Sequence, residues 1–333
     1  MTEIPVTCVA VEWDPAAGRL REAERPVEAP TGHDLLVEVA AAAFNPVDLK
    51  MKGRIPADAP PRPLGYDAVG RVLAAGPQAE GFAPGERVWY AGAMQRAGSN
   101  ARCQLVDARI VARAPEALSD ADAAALPLTA LTAWEAMFER LRLTPLSPQP
   151  RECRLLIING AGGVGSIAIQ LARLSGIHVT ATAARPESRD WCRELGADEI
   201  VAHGTLGDLP ENGFDVVFCC HDTNAYMPAM ARLIAPQGLI CSIVGATGPL
   251  DLTPLFQKSA GFLWEFMFTR PLFATADQAR QGEILATIAR LADEGRIRST
   301  RTETLSGLSL ATIAQGHERL ASGRMRGKLV VEY

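Results

Sequence analysis

The sequence predicts an α/β chain in two parts: short strands closing into an irregular β-barrel, and a doubly wound parallel sheet. Three observations predict it. Residues 1–115 hold short apolar runs punctuated by Gly and Pro, as in EAPTG and RIPADAPPRPLG, with no helical repeat. From residue 154 onward, apolar strands alternate with helical patterns at the spacing of parallel crossovers. A chain of 333 residues, 48% of them hydrophobic, has material for about two packed cores.

The elements follow in order. TCVAVEW (7–13), DLLVEVAAAAF (34–44), DAVGRVLAAG (67–76), ERVWYA (86–91) and RIVARAP (109–115) are the strands of the first part. The texture changes near residue 119, where SDADAAALPLTALTAWEAMFERL holds two helical patterns parted by Pro127, the second opening near Thr129. After the linker TPLSPQPRE come strand 154–158, helix 164–175, strand 178–183, helix 187–195 and strand 199–202. Strand 214–220, helix 224–234 and strand 238–245 continue the alternation. A helix over 277–294, another capped by Ser309 and a strand over 327–333 finish the chain. That last strand is a candidate to return to the first part.

Composition limits the function. Charged residues make up 21% of the chain, the net charge is −5, and no basic block invites nucleic acid. No apolar run approaches the roughly 18 residues needed to span a bilayer. The opening MTEIPVTCVAVEW carries Glu3 and no basic segment, unlike a secretory signal. The seven cysteines lack framework spacing and read as reduced thiols of a cytoplasmic protein. Adjacent Cys219 and Cys220 are the one close pair in sequence and read as buried strand-end residues.

The densest motif is LLIINGAGGVGS, residues 155–166. An apolar strand runs into Gly160, Gly162 and Gly165, with Gly163 and Val164 between, and then into a helical pattern. Of a G-x-G-x-x-G set, the first glycine is expected to allow a tight turn and the second to admit a pyrophosphate. The third packs helix against strand. Free N–H groups at the helix start then favour phosphate. An acid about 20 residues on would hold a ribose 2′-OH, yet no Asp or Glu occurs from Ser166 to Pro186. Arg185 stands there instead, suited to a 2′-phosphate, so NADPH is the expected cofactor. The other reading of Arg185 is a solvated surface residue.

Taken in order and spacing, FNPVDLK (44–50), LGYDAVGRV (64–72), LPLTALTAW (126–134) and NGAGGVG (159–165) resemble the medium-chain dehydrogenase/reductase superfamily. The likeness is greatest to its quinone oxidoreductase branch, including members labelled zinc-type alcohol dehydrogenase-like, and it runs from about residue 30 to RGKLVVEY. It implies a GroES-like catalytic domain over 1–128, completed by 273–333, and a Rossmann NADPH-binding domain over 129–272. It also implies an active site between the domains and a homodimer. Zinc-dependent relatives place a Cys where Asn45 stands and a His-Glu pair where Tyr66 and Asp67 stand. This chain has neither Cys nor His between His33 and Cys103, so no metal site is expected. Without a Lewis acid, the hydride acceptor must itself be electrophilic, as quinones and α,β-unsaturated carbonyls are. The alternatives are a zinc-dependent alcohol dehydrogenase-like enzyme, a reductase of acyl thioester enones, and a non-catalytic NADPH-binding redox sensor.

The resemblance places Asn45 and Thr129 near the nicotinamide, and Arg185 and His203 around the adenosine phosphate. Tyr66, in place of the zinc-site His, is a candidate hydrogen-bond donor to a substrate oxygen or else a core aromatic. Tyr66 and Asn45 are the two catalytic candidates. Thr129 equally suits a helix N-cap, and His203 a solvated loop position. Pro46 suggests a cleft-facing loop, in which Asp48 and Lys50 are site residues or an ordinary ion pair. Gly245 and Ala246 follow a strand where a doubly wound sheet presents its C-terminal edge. Trp264, in AGFLWEFMF (260–268), lines a substrate cleft or covers a subunit interface.

Overall fold

Period-two apolar runs give the first part its strands, and a computed structural model describes residues 4–333. In chain order they are β1 (Thr7–Asp14), β2 (Arg19–Pro26), β3 (Asp34–Ala43), β4 (Arg62–Pro63) and β5 (Asp67–Ala75). β6 (Arg87–Tyr90), β7 (Cys103–Asp107) and β8 (Val111–Arg113) complete this run. The sequence does not announce β2, since RLREAERP is almost wholly polar. It forms because every residue pairs in register with β1, and because Arg21 and Arg25 both reach the buried carboxylate of Glu12. β8 is shorter than 109–115 predicts, because Ala108–Ile110 makes a tight turn capped by the Asp107 side chain.

The chain divides into two compact units, Met1–Leu128 with Phe268–Tyr333, and Thr129–Met267. The intervening unit holds β9 (Arg154–Ile158), β10 (His178–Thr182), β11 (Glu199–Val201), β12 (Phe214–Cys219), β13 (Ile234–Ser242) and β14 (Gly261–Trp264). All pair in parallel in the order β11-β10-β9-β12-β13-β14, so the winding reverses between β9 and β12. Strand β9 reads as one apolar run because it lies in mid-sheet, its last four residues buried. Within this unit β14 is the strand the sequence does not announce, as β2, β4, β7 and strand Arg301–Ser306 are in the other. β14 lies inside the stretch read as an interface cover, at one edge of the sheet.

The last two strands, β15 (Arg301–Ser306) and β16 (Lys328–Glu332), belong to the first unit. β16 returns to pair antiparallel with β3, Val330 opposite Ala43, in a seven-stranded sheet; β2, β1 and β4 form a separate three-stranded one. Leu35, Val37, Val88, Val106 and Ile110 make one core of this unit. Phe44, Ile313, Leu329 and Val331 make another, beneath helix Leu310–Ala321, whose N-cap Ser309 accepts the Thr312 N–H as expected. Among the described residues no helix is long and apolar enough to cross a membrane.

Candidate functional site

In the first unit the site grows from the end of β3. There the chain leaves the strand at Asn45, extended at φ −136° and ψ 148°, and Pro46 opens helix Pro46–Lys52. Proline suits a first helical position because its missing N–H would have no partner there. Asp48, three residues in, accepts the Asn45 N–H at 2.7 Å. Two expectations are corrected. Pro46 starts a helix rather than a loop, and Asp48 caps that helix instead of pairing with Lys50, which is exposed. Burial is the main force on the Asp48 carboxyl and pushes it up to about 7, against the Asn45 N–H and Lys328.

With the backbone so fixed, the Asn45 side chain turns inward. Its Nδ2 donates to Asp67 Oδ2 at 2.8 Å and to Ala43 O at 3.2 Å. Lys328 Nζ donates to Asn45 Oδ1 at 2.5 Å, Asp67 Oδ2 at 2.9 Å and Phe44 O at 2.8 Å. All three ammonium hydrogens are thereby used. Asp67 Oδ1 accepts the Leu128 N–H at 2.6 Å. Side-chain exposure is 4% for Lys328 and 0% for Asp67, so this ion pair is dry. Sequence reasoning missed Lys328. The signal was a lysine directly before the apolar run Leu329–Val331.

Tyr66 lies beside this cluster, 2% exposed, with its ring edgewise against Phe268 at 4.9 Å. Packing accounts for the ring. Burial, and then the Asp48 carboxylate, push the Tyr66 hydroxyl well above its ordinary range. It therefore stays protonated and is a donor.

The same residues test the fit of zinc. At the three positions where zinc-dependent relatives carry Cys, His and Glu stand an amide, a phenol and a carboxylate already holding an ammonium. Zinc takes its ligands from thiolate, imidazole and carboxylate, and beside Lys328 a dication would meet like charge. Among the described residues no group of three or more His, Cys, Asp or Glu side chains is arranged to hold a metal ion. The residues do not fit the metal.

In the second unit the C-terminal edge of the sheet gathers the remaining candidates apart from Thr129. The glycine loop follows β9 and leads into helix Gly163–Leu174, with Gly162 at the N-cap and Val164 in the first turn. The roles expected of the glycines shift. Asn159, not Gly160, takes the left-handed turn, at φ 69°, and Thr182 Oγ1 accepts its N–H at 2.8 Å. A methyl on Gly160 would lie 2.7 Å from Ala181 Cβ, and one on Gly165 2.4 Å from Asn159 O. Both glycines are therefore packing positions, the first toward β10 and the second toward the turn.

Arg185 occupies the N-cap of helix Pro186–Leu195, partly exposed, with Nε 3.2 Å from Glu187 and Nη2 3.4 Å from Ser188 Oγ. His203 is engaged rather than solvated, its Nδ1 2.8 Å from Tyr226 Oη and 3.2 Å from Thr182 Oγ1. Burial, then His221, holds its imidazole below the usual range, so it is neutral. Gly245 and Ala246 are exposed just beyond β13. Thr129 is buried in the first turn of helix Pro127–Trp134, which displaces the N-cap reading. Trp264 ends edge strand β14 and is 44% exposed. A helix start after a glycine loop, with a guanidinium at the end of the next strand, fits a dinucleotide phosphate.

Comparison with known proteins identifies the family. Residues 31–116 match the alcohol dehydrogenase GroES-like domain family and residues 195–331 the zinc-binding dehydrogenase family. A zinc-type alcohol dehydrogenase-like protein of Staphylococcus aureus (strain COL) is 40% identical over 307 residues, 91% of each chain. A mitochondrial NAD(P)H oxidoreductase of Danio rerio is 28% identical over 90% of this chain and 83% of its own. Among solved structures, a candidate zinc-dependent alcohol dehydrogenase from Rhizobium etli CFN 42 superposes with a TM-score of 0.92. It is 43% identical, with 98% of both chains covered.

Proposed function

The chain belongs to the medium-chain dehydrogenase/reductase superfamily of NAD(P)-dependent oxidoreductases, and from that premise we propose that it reduces quinones or α,β-unsaturated carbonyls with NADPH and without a metal. The observation that carries the reading is the buried Lys328 ammonium on Asn45 and Asp67, a fixed cation in the neighbourhood where zinc relatives keep their ligands. Conjugated acceptors suit such a site because they spread negative charge without a Lewis acid.

Gly160, Gly162 and Gly165 shape the phosphate loop, and Arg185 gives NADPH its preference by taking the 2′-phosphate. When bound, the nicotinamide supplies the hydride. Tyr66 donates a hydrogen bond to the acceptor oxygen on which charge develops. Asn45 is less free. Both of its amide hydrogens are committed to Ala43 and Asp67, so it acts as a positioning residue for the segment beside the nicotinamide. The proton that completes the product comes from solvent. The homodimer belongs to the same proposal, supported by the exposed Trp264 on edge strand β14.

A spectrophotometric assay of NADPH oxidation against a panel of small quinones and enones tests the reading, with elemental analysis of the same preparation. Turnover with quinones and less than stoichiometric zinc is the expected result. NADPH binding without turnover on any acceptor would instead indicate a sensor. One tightly bound zinc per chain would overturn the metal-free mechanism.

A further inference from the structure

Away from this site, β1 and the start of β7 carry two cysteines that the reductase reading leaves without a role. Val11 N–H donates to Asn100 O at 2.8 Å and Arg102 N–H to Val9 O at 2.9 Å, flanking an antiparallel bridge between Ala10 and Ala101. Continued two residues along each chain from this isolated bridge, the register points Cys8 and Cys103 toward each other on one face, as a pair not joined by backbone hydrogen bonds. Such pairs bring Cα atoms to about 4.5 Å, within the roughly 4.4–6.8 Å that a disulfide spans. Cys8 Sγ donates to the Cys103 carbonyl oxygen at 4.0 Å, which sets the two residues side by side. The Cys103 thiol, with Arg25 contributing, pulls the Cys8 thiol down to about 6, while Cys103 is held up. Both residues line a cleft of about 270 Å³ together with Arg96, Pro26, Pro63 and Leu105. The remaining five cysteines are different: burial pushes every one of those thiols up.

We propose that Cys8 and Cys103 are a peroxide-responsive thiol pair that closes into a reversible disulfide between β1 and β7. The Cys8 thiolate attacks one peroxide oxygen, the O–O bond breaks, and the departing oxygen leaves as water or an alcohol after taking a proton. Cys8 is then a sulfenic acid. The Cys103 sulfur attacks the Cys8 sulfur, the S–O bond breaks, and the hydroxyl leaves as water with the Cys103 proton. Two thiols lose two electrons and the peroxide gains them, so no nucleotide is consumed. The new bond ties the three-stranded sheet to the seven-stranded one, which stiffens the first unit against unfolding.

The test uses the full chain, treated with hydrogen peroxide, blocked with N-ethylmaleimide and digested without reductant for mass spectrometry. The expected product is a peptide linking Cys8 to Cys103 that dithiothreitol separates. In Cys103→Ser, Cys8 should stop at the sulfenic acid and be captured by dimedone. Cys8→Ser should give neither product and should keep wild-type NADPH affinity. Peroxide that leaves both thiols free, or carries Cys8 to the sulfinic acid with no linked peptide, overturns the proposal. Absence of a Cys8 dimedone adduct in Cys103→Ser overturns the assignment of Cys8 as the attacking sulfur. These readouts need no quinone turnover, so they stand or fall apart from the reductase reading.

Discussion

The glycine loop of one unit and the lysine cluster of the other place polar groups at fixed points by opposite means. Gly160 to Gly165 are neighbours in sequence, and the loop works by leaving side chains out so that backbone can approach backbone. Asn45, Asp67 and Lys328 come from the ends of three strands far apart in the chain, and they work by burying a charge among partners. The first arrangement exposes few groups to mismatch. The second depends on every member, because a buried ion that loses its partner keeps its desolvation cost.

That difference sets the order of expected effects. Lys328→Met strands Asp67 and Asn45 in a dry site, and should destabilise the protein by about 3–5 kcal/mol in urea titration. A loss under about 1 kcal/mol, the size of an exposed pair, would make the cluster no different from a surface contact.

Asp48 sharpens the comparison through pH. Its carboxyl rises from 3.8 to about 7 on folding, so the folded state holds the proton more tightly than the unfolded chain. The stability this lends is complete below about pH 4 and is lost as pH climbs to about 7. Asp48→Asn cannot ionise. It should therefore match wild type near pH 4 and exceed it by up to about 4 kcal/mol above pH 7. Denaturation curves at several pH values check this, and a difference that stays constant with pH counts against it.

Tyr66→Phe asks whether the cluster's neighbour does chemistry or only packs. Turnover should fall about 10- to 100-fold, the effect of one lost hydrogen bond, with NADPH affinity unchanged. Wild-type rates under conditions where hydride transfer is limiting would leave Tyr66 as packing. The smallest effect belongs to the loop side. Arg185→Ala should narrow the preference for NADPH over NADH by about 1.5 kcal/mol, the low end for a charged hydrogen bond. The reason is that Arg185 must first leave Glu187. Isothermal titration of both cofactors measures it, and equal wild-type affinities would remove the basis for the choice.

Legibility in the sequence divides along the same line. Strands over 154–158 and 214–220 were visible because a buried strand reads as a run of apolar residues, and the glycine loop because its members are contiguous. β2 was hidden by its polarity, since its stability lies in pairing with β1 and in the Glu12 ion pairs. The motif puts the tight turn at Gly160, one residue too late. Asn159 carries it, a conformation asparagine tolerates, while Gly160 is needed for proximity to Ala181. Lys328 and the Cys8–Cys103 pair escaped notice because partners distant in sequence meet only through strand register. The adjacent pair Cys219 and Cys220 reads as buried strand-end residues; Cys219 is buried, Cys220 only partly so, and burial raises both thiols.

Strand β16 also fixes an order of manufacture. A chain leaves the ribosome from its N-terminus, and domains fold as units while they emerge. Residues 129–267 are therefore released whole, while Ala41–Ala43 of β3 still wait for the strand that will pair with them. Through that interval Asp67 has no ammonium, and the apolar surface under Phe44 has no Leu329 or Val331 to cover it. The nascent first unit is thus the half that needs shelter from aggregation, and a stalled or truncated message would leave the second unit complete beside an unfinished first one.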